Sequence, residues 1–332
     1  MASIPIVLLT GFLGSGKTTL LKRLLAEPAC ARTIVLINEF GEVGIDHLVV
    51  ANLAESIVEL RNGCLCCTIR GDLALTLHEL LYKRQLGELP PFDRIVIETS
   101  GLADPVPLAH TLMVTPALLR AVHLARIVTL VDALNAPQTV AAHETAGDQI
   151  ALADLVVLSK GDLATAAAAE AARALVASLN PAAVVVEAVQ GELPAERVLA
   201  DELGDTRDPA RRGALVAAWT ARHADRAHGH AHGARYRSLV CRHADALSLA
   251  GTTVFLNRAV NELGPRILRI KGIAGFRERG GRPALIHAVQ NRFYPLQWLD
   301  EWPDADHESR LVFIGRDFEP AILEERFAAL CV

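Results

Sequence analysis

The sequence has no apolar run approaching the ~20 residues of a membrane-spanning helix, so no membrane partner is expected. It has no basic excess either: 33 Lys and Arg stand against 38 Asp and Glu, and the formal net charge of −5 offers no global attraction to a phosphate backbone. Nucleic acid is therefore not an expected partner. The first residues, MASIPIVLLTGFLGSGKTT, lack a basic leading segment and a cleavage site, which points to a cytoplasmic location. No internal repeat is visible. Cysteine is sparse, six in all. In a reducing compartment thiols stay free unless catalytic or metal-bound, which argues against a structural disulfide. Cys30, Cys241 and Cys331 sit singly among aliphatic residues and read as small core hydrophobes.

Apolar material, by contrast, is plentiful: the chain is 51% hydrophobic and 21% charged, enough for a substantial core over two domains. Short aliphatic runs, IPIVLLT, TIVLINEF, RIVIET, RIVTLVDA, DLVVLSK and AAVVVEAV, alternate with helical periodicity through roughly the first 190 residues. Continuous apolar strands alternating with helices predict an α/β domain with a mostly parallel sheet covered on both faces. The Ala-rich stretch from Ala164 to Leu179 reads as a helix stopped by Asn180-Pro181. A polar, Gly-punctuated segment follows, then RYRSLVCR, a helix near Thr252 to Leu263, RILRIKGIAGF, PALIHAVQ, RFYPLQWL, SRLVFIGR and a last helix from Pro320 to Leu330. This grouping predicts a smaller α+β domain. The expected division is a nucleotide-binding domain over 1–195, a linker over 196–234 and a C-terminal domain over 235–332.

The segment GFLGSGKT, Gly11 to Thr18, follows an apolar strand and opens a helix, which is the context that the G-x-x-x-x-G-K-[ST] phosphate loop requires. Backbone N–H groups of Gly11, Gly14, Ser15 and Gly16 would turn around a phosphate, with the helix N-terminus at Lys17, Thr18 and Thr19 adding its dipole. Lys17 would reach the β- and γ-phosphates and Thr18 would coordinate Mg²⁺. Glu98, in RIVIETSGLADP, is the candidate acidic support of the Mg²⁺ shell, and Gly101 lies where an N–H could sense the γ-phosphate. After DLVVL comes SKGD, similar to the N/T-K-x-D element in which Asp162 would read guanine and Lys160 would pack on the ring. Guanine offers donors where adenine offers an acceptor, so GTP is favoured over ATP. Ser159 replaces the usual Asn.

Between these motifs, INEFGEVGID places Glu39, Glu42 and Asp46 in a loop of the kind that γ-phosphate orders, and Asp46 is the candidate for orienting the attacking water. Then CLCC gives Cys64, Cys66 and Cys67. Closely spaced thiolates can converge on one soft cation, Zn²⁺, Co²⁺ or Cu⁺, with Glu39, Glu42 or water completing the shell. Redox chemistry and inert burial are the rival readings. A loop that senses γ-phosphate and abuts metal ligands would couple nucleotide and metal reciprocally.

GFLGSGKTT, NEFGEVGID, NGCLCC, ETSGLADP and SKGD in this order, followed by RIKGI and a late HAVQ, resemble the CobW family of metal-associated GTPases over nearly the whole chain. The resemblance implies a GTPase domain, slow Mg²⁺-dependent hydrolysis of GTP, and a C-terminal domain that helps engage a client metalloprotein; the residues read above as catalytic are Lys17, Asp46 and Glu98. It also implies a transition metal centred on Cys66 with Cys64, Cys67 and the acidic loop as helpers; the metal expected there is zinc first and cobalt next. In the linker, His223, His228, His230 and His232 fall within ten residues and read either as a weak loading site, chiefly through the last three, or as a solvated tract. His287, Trp298 and Trp302 read as core. A small-molecule kinase and a metal-buffering protein remain alternative functions, and a homodimer remains open.

Overall fold

The computed structural model describes residues 3–38, 57–59, 68–201, 235–303, 305 and 307–331. Two compact units are present, Met1–Arg173 with Val184–Asp205 and Ala174–Ala183 with Thr206–Val332. The expected positions Glu39, Glu42, Asp46, Cys64, Cys66, Cys67, His223, His228, His230 and His232 lie outside the described residues.

The first unit is built on seven strands, β1 (Ile4–Gly11), β2 (Thr33–Asn38), β3 (Ile57–Glu59), β4 (Arg94–Thr99), β5 (Val122–Asp132), β6 (Leu155–Ser159) and β7 (Val184–Ala188). Every pairing is parallel and the order is β3-β2-β4-β1-β5-β6-β7. The expected parallel α/β architecture is therefore present. The helices here are α1 (Lys17–Leu25), α2 (Thr68–Leu86), α3 (Val106–Val114), α4 (Ala136–Ala142), α5 (Glu144–Leu152) and α7 (Ala195–Val198), together with the start of α6 (Ala166–Leu179), whose residues from Ala174 on count with the second unit. Alternation along β1 explains why its whole run is apolar. Val7 and Leu9 pack with Leu20, Leu21 and Leu24 of α1, whereas Ile6 and Leu8 are equally buried on the opposite face, where α3 and α5 approach β5 and β1. The core on the α1 side continues through Val198 and Leu199. The short strand β3 was not anticipated, because IVE is too brief to register as a run. The Ala-rich helix begins at Ala166, after Thr165 accepts the Ala168 N–H on its hydroxyl.

The second unit is antiparallel: β8 (Tyr236–His243), β9 (Ile267–Phe276), β10 (Arg282–Val289), β11 (Arg292–Phe293), β12 (Gln297–Trp298) and β13 (Ser309–Arg316), with β11-β10-β9-β13-β8 as the main path and β12 paired to β10. Helices α8 (Leu249–Leu263) and α9 (Pro320–Ala328) supply Phe255, Leu256, Leu323 and Phe327 to a core shared with Ile270, Ile286, Leu311 and Phe313. Ser248 caps α8 by accepting the Gly251 N–H. RFYPLQWL, expected as one strand, is two: Pro295 has no N–H for the ladder, and the segments on either side pair with β10 separately. His287 is buried edge-on to Tyr294, Trp298 packs against this core, and Trp302 donates its indole N–H to the Gly281 carbonyl. Cys30 and Cys241 are buried free thiols, and burial pushes both above the usual thiol range. No helix among the described residues is long and apolar enough to cross a membrane.

Candidate nucleotide-binding site

Parallel strands joined by crossovers bring all their C-terminal ends to one edge of the sheet. The ends of β1, β4, β5 and β6 meet there, and each carries one of the residues of interest: Gly11, Glu98, Asp132 and Ser159. The loop after β1 runs from Gly11 to Gly16, which caps α1 in a left-handed conformation, φ 94°. A side chain there would strain the turn into α1. Phe12 braces the loop by stacking on His143 with ring centroids 4.5 Å apart.

Lys17 is buried at the first turn of α1, with its ammonium donating to the Gly11 carbonyl at 2.8 Å and the Phe12 carbonyl at 3.3 Å. The loop thus holds the cation against its own backbone. Thr18 donates its hydroxyl to Oε1 of Glu98 at 3.3 Å, bridging α1 to β4. Glu98 is only 6% exposed, so its placement is not that of a solvated strand-end charge. A hydroxyl and a carboxylate are hard oxygen donors, the set Mg²⁺ accepts, and the pair fits such an ion. Gly14 and Thr19 are exposed along the loop and the first turn.

Gly101 is pressed against the phosphate loop: a Cβ on it would lie 2.7 Å from the Leu13 nitrogen. Only glycine lets the segment after β4 approach this closely. Lys17, Thr18, Glu98 and Gly101 are thus brought together.

The turn after β6 joins the same edge by a route that sequence reasoning did not foresee. The Ser159 hydroxyl donates to the Ser15 carbonyl at 2.6 Å, tying β6 to the phosphate loop. The residue that departs from the usual motif therefore supplies a tether of its own. Lys160 adopts φ 58° and its ammonium pairs with Asp132 at 2.8 Å. Burial pushes the Asp132 carboxyl up, but hydrogen bonds from Lys160, the Leu134 N–H and Asn135 outweigh it and hold the group below the usual carboxylate range. Asp162 stands exposed in the turn itself. Asp132 was missed: an acid at the end of the apolar run RIVTLVDA is visible, but its pairing with Lys160 comes from the register of β5 with β6. Gln149 of α5 was also missed: its side-chain amide donates to the carbonyls of Gly101 at 3.3 Å and Ala103 at 3.1 Å, and no local pattern marks it. Among the described residues, no group of three or more His, Cys, Asp or Glu side chains is placed to hold a metal ion.

Comparison with known proteins extends these observations. Over 99% of its length and 99% of the relative's, the chain is 31% identical to the zinc chaperone YjiA of Escherichia coli K12. It is 33% identical to the zinc chaperone CobW of Pseudomonas aeruginosa, covering 97% of this chain and 90% of the relative. The crystal structure of Zn(II)-bound YjiA GTPase from E. coli superposes with a TM-score of 0.73 at 26% identity, covering 99% of both chains. Residues 5–187 match the family described as CobW/HypB/UreG, nucleotide-binding domain, and residues 236–331 match the cobalamin synthesis protein CobW C-terminal domain. With a phosphate loop at the carboxyl edge of a parallel sheet and these matches across both units, the chain belongs to the CobW/HypB/UreG nucleotide-binding family and carries a CobW C-terminal domain.

Proposed function

We propose that this chain is a GTP-hydrolysing metallochaperone that binds a transition metal, zinc first and cobalt next, and hands it to a client metalloprotein. The observation that carries this reading is the cluster of Lys17, Thr18, Glu98 and Gly101 at the ends of β1 and β4, in a chain whose full-length relatives are named zinc chaperones. Residues 1–195 act as the GTPase domain, 196–234 as a linker and 235–332 as the client-engaging domain.

Lys17 turns from the loop carbonyls toward the β- and γ-phosphates, a short move for an ammonium already held at the cradle. Thr18 and Glu98 hold Mg²⁺, which when bound offsets the charge that develops on the phosphate oxygens. The Gly101 N–H senses the γ-phosphate. Asp162 accepts from guanine, Lys160 covers the ring, and Asp132 orients Lys160. Asp46 orients the attacking water. Catalysis is electrostatic preorganisation by these groups and is slow without cargo or client. Cys64, Cys66 and Cys67, with Glu39 and Glu42, bind the cargo ion, and His228, His230 and His232 offer a weak loading site. Thiolates beside a γ-phosphate sensor make release depend on hydrolysis, since coupling between two sites is reciprocal.

The test is competitive titration of Zn²⁺ and Co²⁺ into the protein with a GTP analogue, with GDP and without nucleotide, beside Cys66→Ala. Metal should bind more tightly with the analogue than with GDP, and the variant should lose tight binding. An affinity indifferent to nucleotide would leave a metal buffer instead, and equal binding by Cys66→Ala would remove the cysteines from the mechanism.

A further inference from the structure

Helix α2 carries apolar side chains on two opposite faces. Leu73, Leu77 and Leu80 are buried, at the spacing expected of the core-facing stripe of a helix. At ~100° per residue, Leu75, Tyr82 and Leu86 fall on the other side, within about 40° of one another. They stand 70%, 57% and 53% exposed. Single exposed apolar residues are ordinary on a protein surface. Here three share one stripe, and no other helix among the described residues exposes more than one large apolar side chain. Such a stripe marks a contact surface.

The charges beside the stripe indicate what it contacts. Glu79 and Lys83 flank it, paired within the helix at 2.6 Å, and both reach solvent. These positions are nearly symmetrical about Leu81: Leu75 and Leu86 at the ends, Glu79 and Lys83 inside them, Tyr82 next to the centre. An antiparallel copy of the helix laid on the stripe therefore sets Leu75 opposite Leu86, Glu79 opposite Lys83, and Tyr82 beside its own counterpart. That is the self-complementarity a two-fold interface requires. A parallel copy would instead set Glu79 against Glu79 and Lys83 against Lys83, so charge selects the antiparallel arrangement. A partner of different sequence would need no such symmetry.

We propose that two copies of this chain associate through α2, antiparallel about a two-fold axis beside Tyr82. Leu75 is then covered by the partner's Leu86, and the Glu79 carboxylate meets the partner's Lys83 as well as its own. One helix stripe covers less than the ~800 Å² per copy of a standard stable interface, so the dimer is weak and depends on concentration. The contact uses none of the residues at the nucleotide site and stands independently of the function proposed above.

The test is sedimentation velocity on the full chain over about 10 μM to 1 mM, the range that a small interface implies. The average mass should rise from one copy toward two. Leu75→Glu, a change at a solvent-facing position, should keep the chain monomeric throughout, and Tyr82→Glu should do the same if the first variant melts early. Glu79→Lys and Lys83→Glu should each weaken association about tenfold, because each sets like charges face to face. Both changes in one chain should restore it, since the swap rebuilds every cross pair. A chain that stays monomeric up to the highest concentration overturns the proposal. So does a dimer that Leu75→Glu leaves intact, which would put the contact on another surface. Failure of the double variant to recover overturns the antiparallel docking.

Discussion

The two sheets of this protein organise polar residues in different ways. In the parallel sheet every crossover returns the chain to the same end, so Gly11, Glu98, Asp132 and Ser159, far apart in sequence, lie at or next to the ends of neighbouring strands. In the antiparallel sheet successive strands reverse, and a residue ending one strand faces the beginning of the next, as Arg282 faces Phe276 and Ser309 faces His243. Topology alone thus concentrates chemistry at an edge in one unit and spreads side chains over faces in the other. A change at the edge of the first sheet should therefore alter function, and an equally severe change inside the second should alter only stability.

The largest effect should come from Lys17→Ala. Removing the ammonium fixed on the loop carbonyls should lower GTP hydrolysis by about 10²-fold or more, measured as phosphate release, while thermal unfolding changes little. Next comes a matched pair of glycines. Gly101→Ala drives a methyl into the Leu13 backbone and Gly272→Ala drives one into the Arg310 carbonyl, so each should cost about 1–3 kcal/mol in denaturant titrations. Only Gly101→Ala should also weaken nucleotide binding in the folded fraction. Equal loss of binding in both would break the comparison.

Ser159→Ala probes a single tether. Leaving the Ser15 carbonyl without its hydroxyl partner should weaken GDP binding about fivefold, roughly 1 kcal/mol, with Ser159→Asn recovering part of the loss. The smallest effect is at Asp132. Its carboxyl titrates below the usual range in the folded protein, so its contribution is fully present above the unfolded value of 3.8 and is lost as pH falls through the lower folded value. Asp132→Asn should be less stable than the parent by a few tenths of a kcal/mol near pH 6, and the difference should shrink as pH falls below the unfolded value of 3.8 in urea titrations.

What could be read from the chain divides along the same physical line. Uninterrupted aliphatic runs and the strand-loop-helix context of Gly11 to Thr18 are local, and local patterns survive folding, so the parallel sheet and its phosphate loop were legible. Pro295 was visible as well, yet its effect depended on β10 lying alongside, which only the tertiary fold supplies. The roles of Ser159, Asp132 and Gln149 depend on partners 144, 28 and 48 residues away, and no spacing rule reaches that far. Ser159 looked like a defect in a motif because the motif describes the ligand side of that residue. Its other side bonds to the phosphate loop.

The burial of Cys30 and Cys241 has a practical consequence. Thiol reagents attack thiolate, and both of these groups are shielded and shifted toward the protonated form. A maleimide dye applied briefly near neutrality should pass over them, so the labelling count of the native protein starts from a silent background of two. Changes in that count on adding nucleotide or metal then report on the other four cysteines, with no need to engineer the buried pair away.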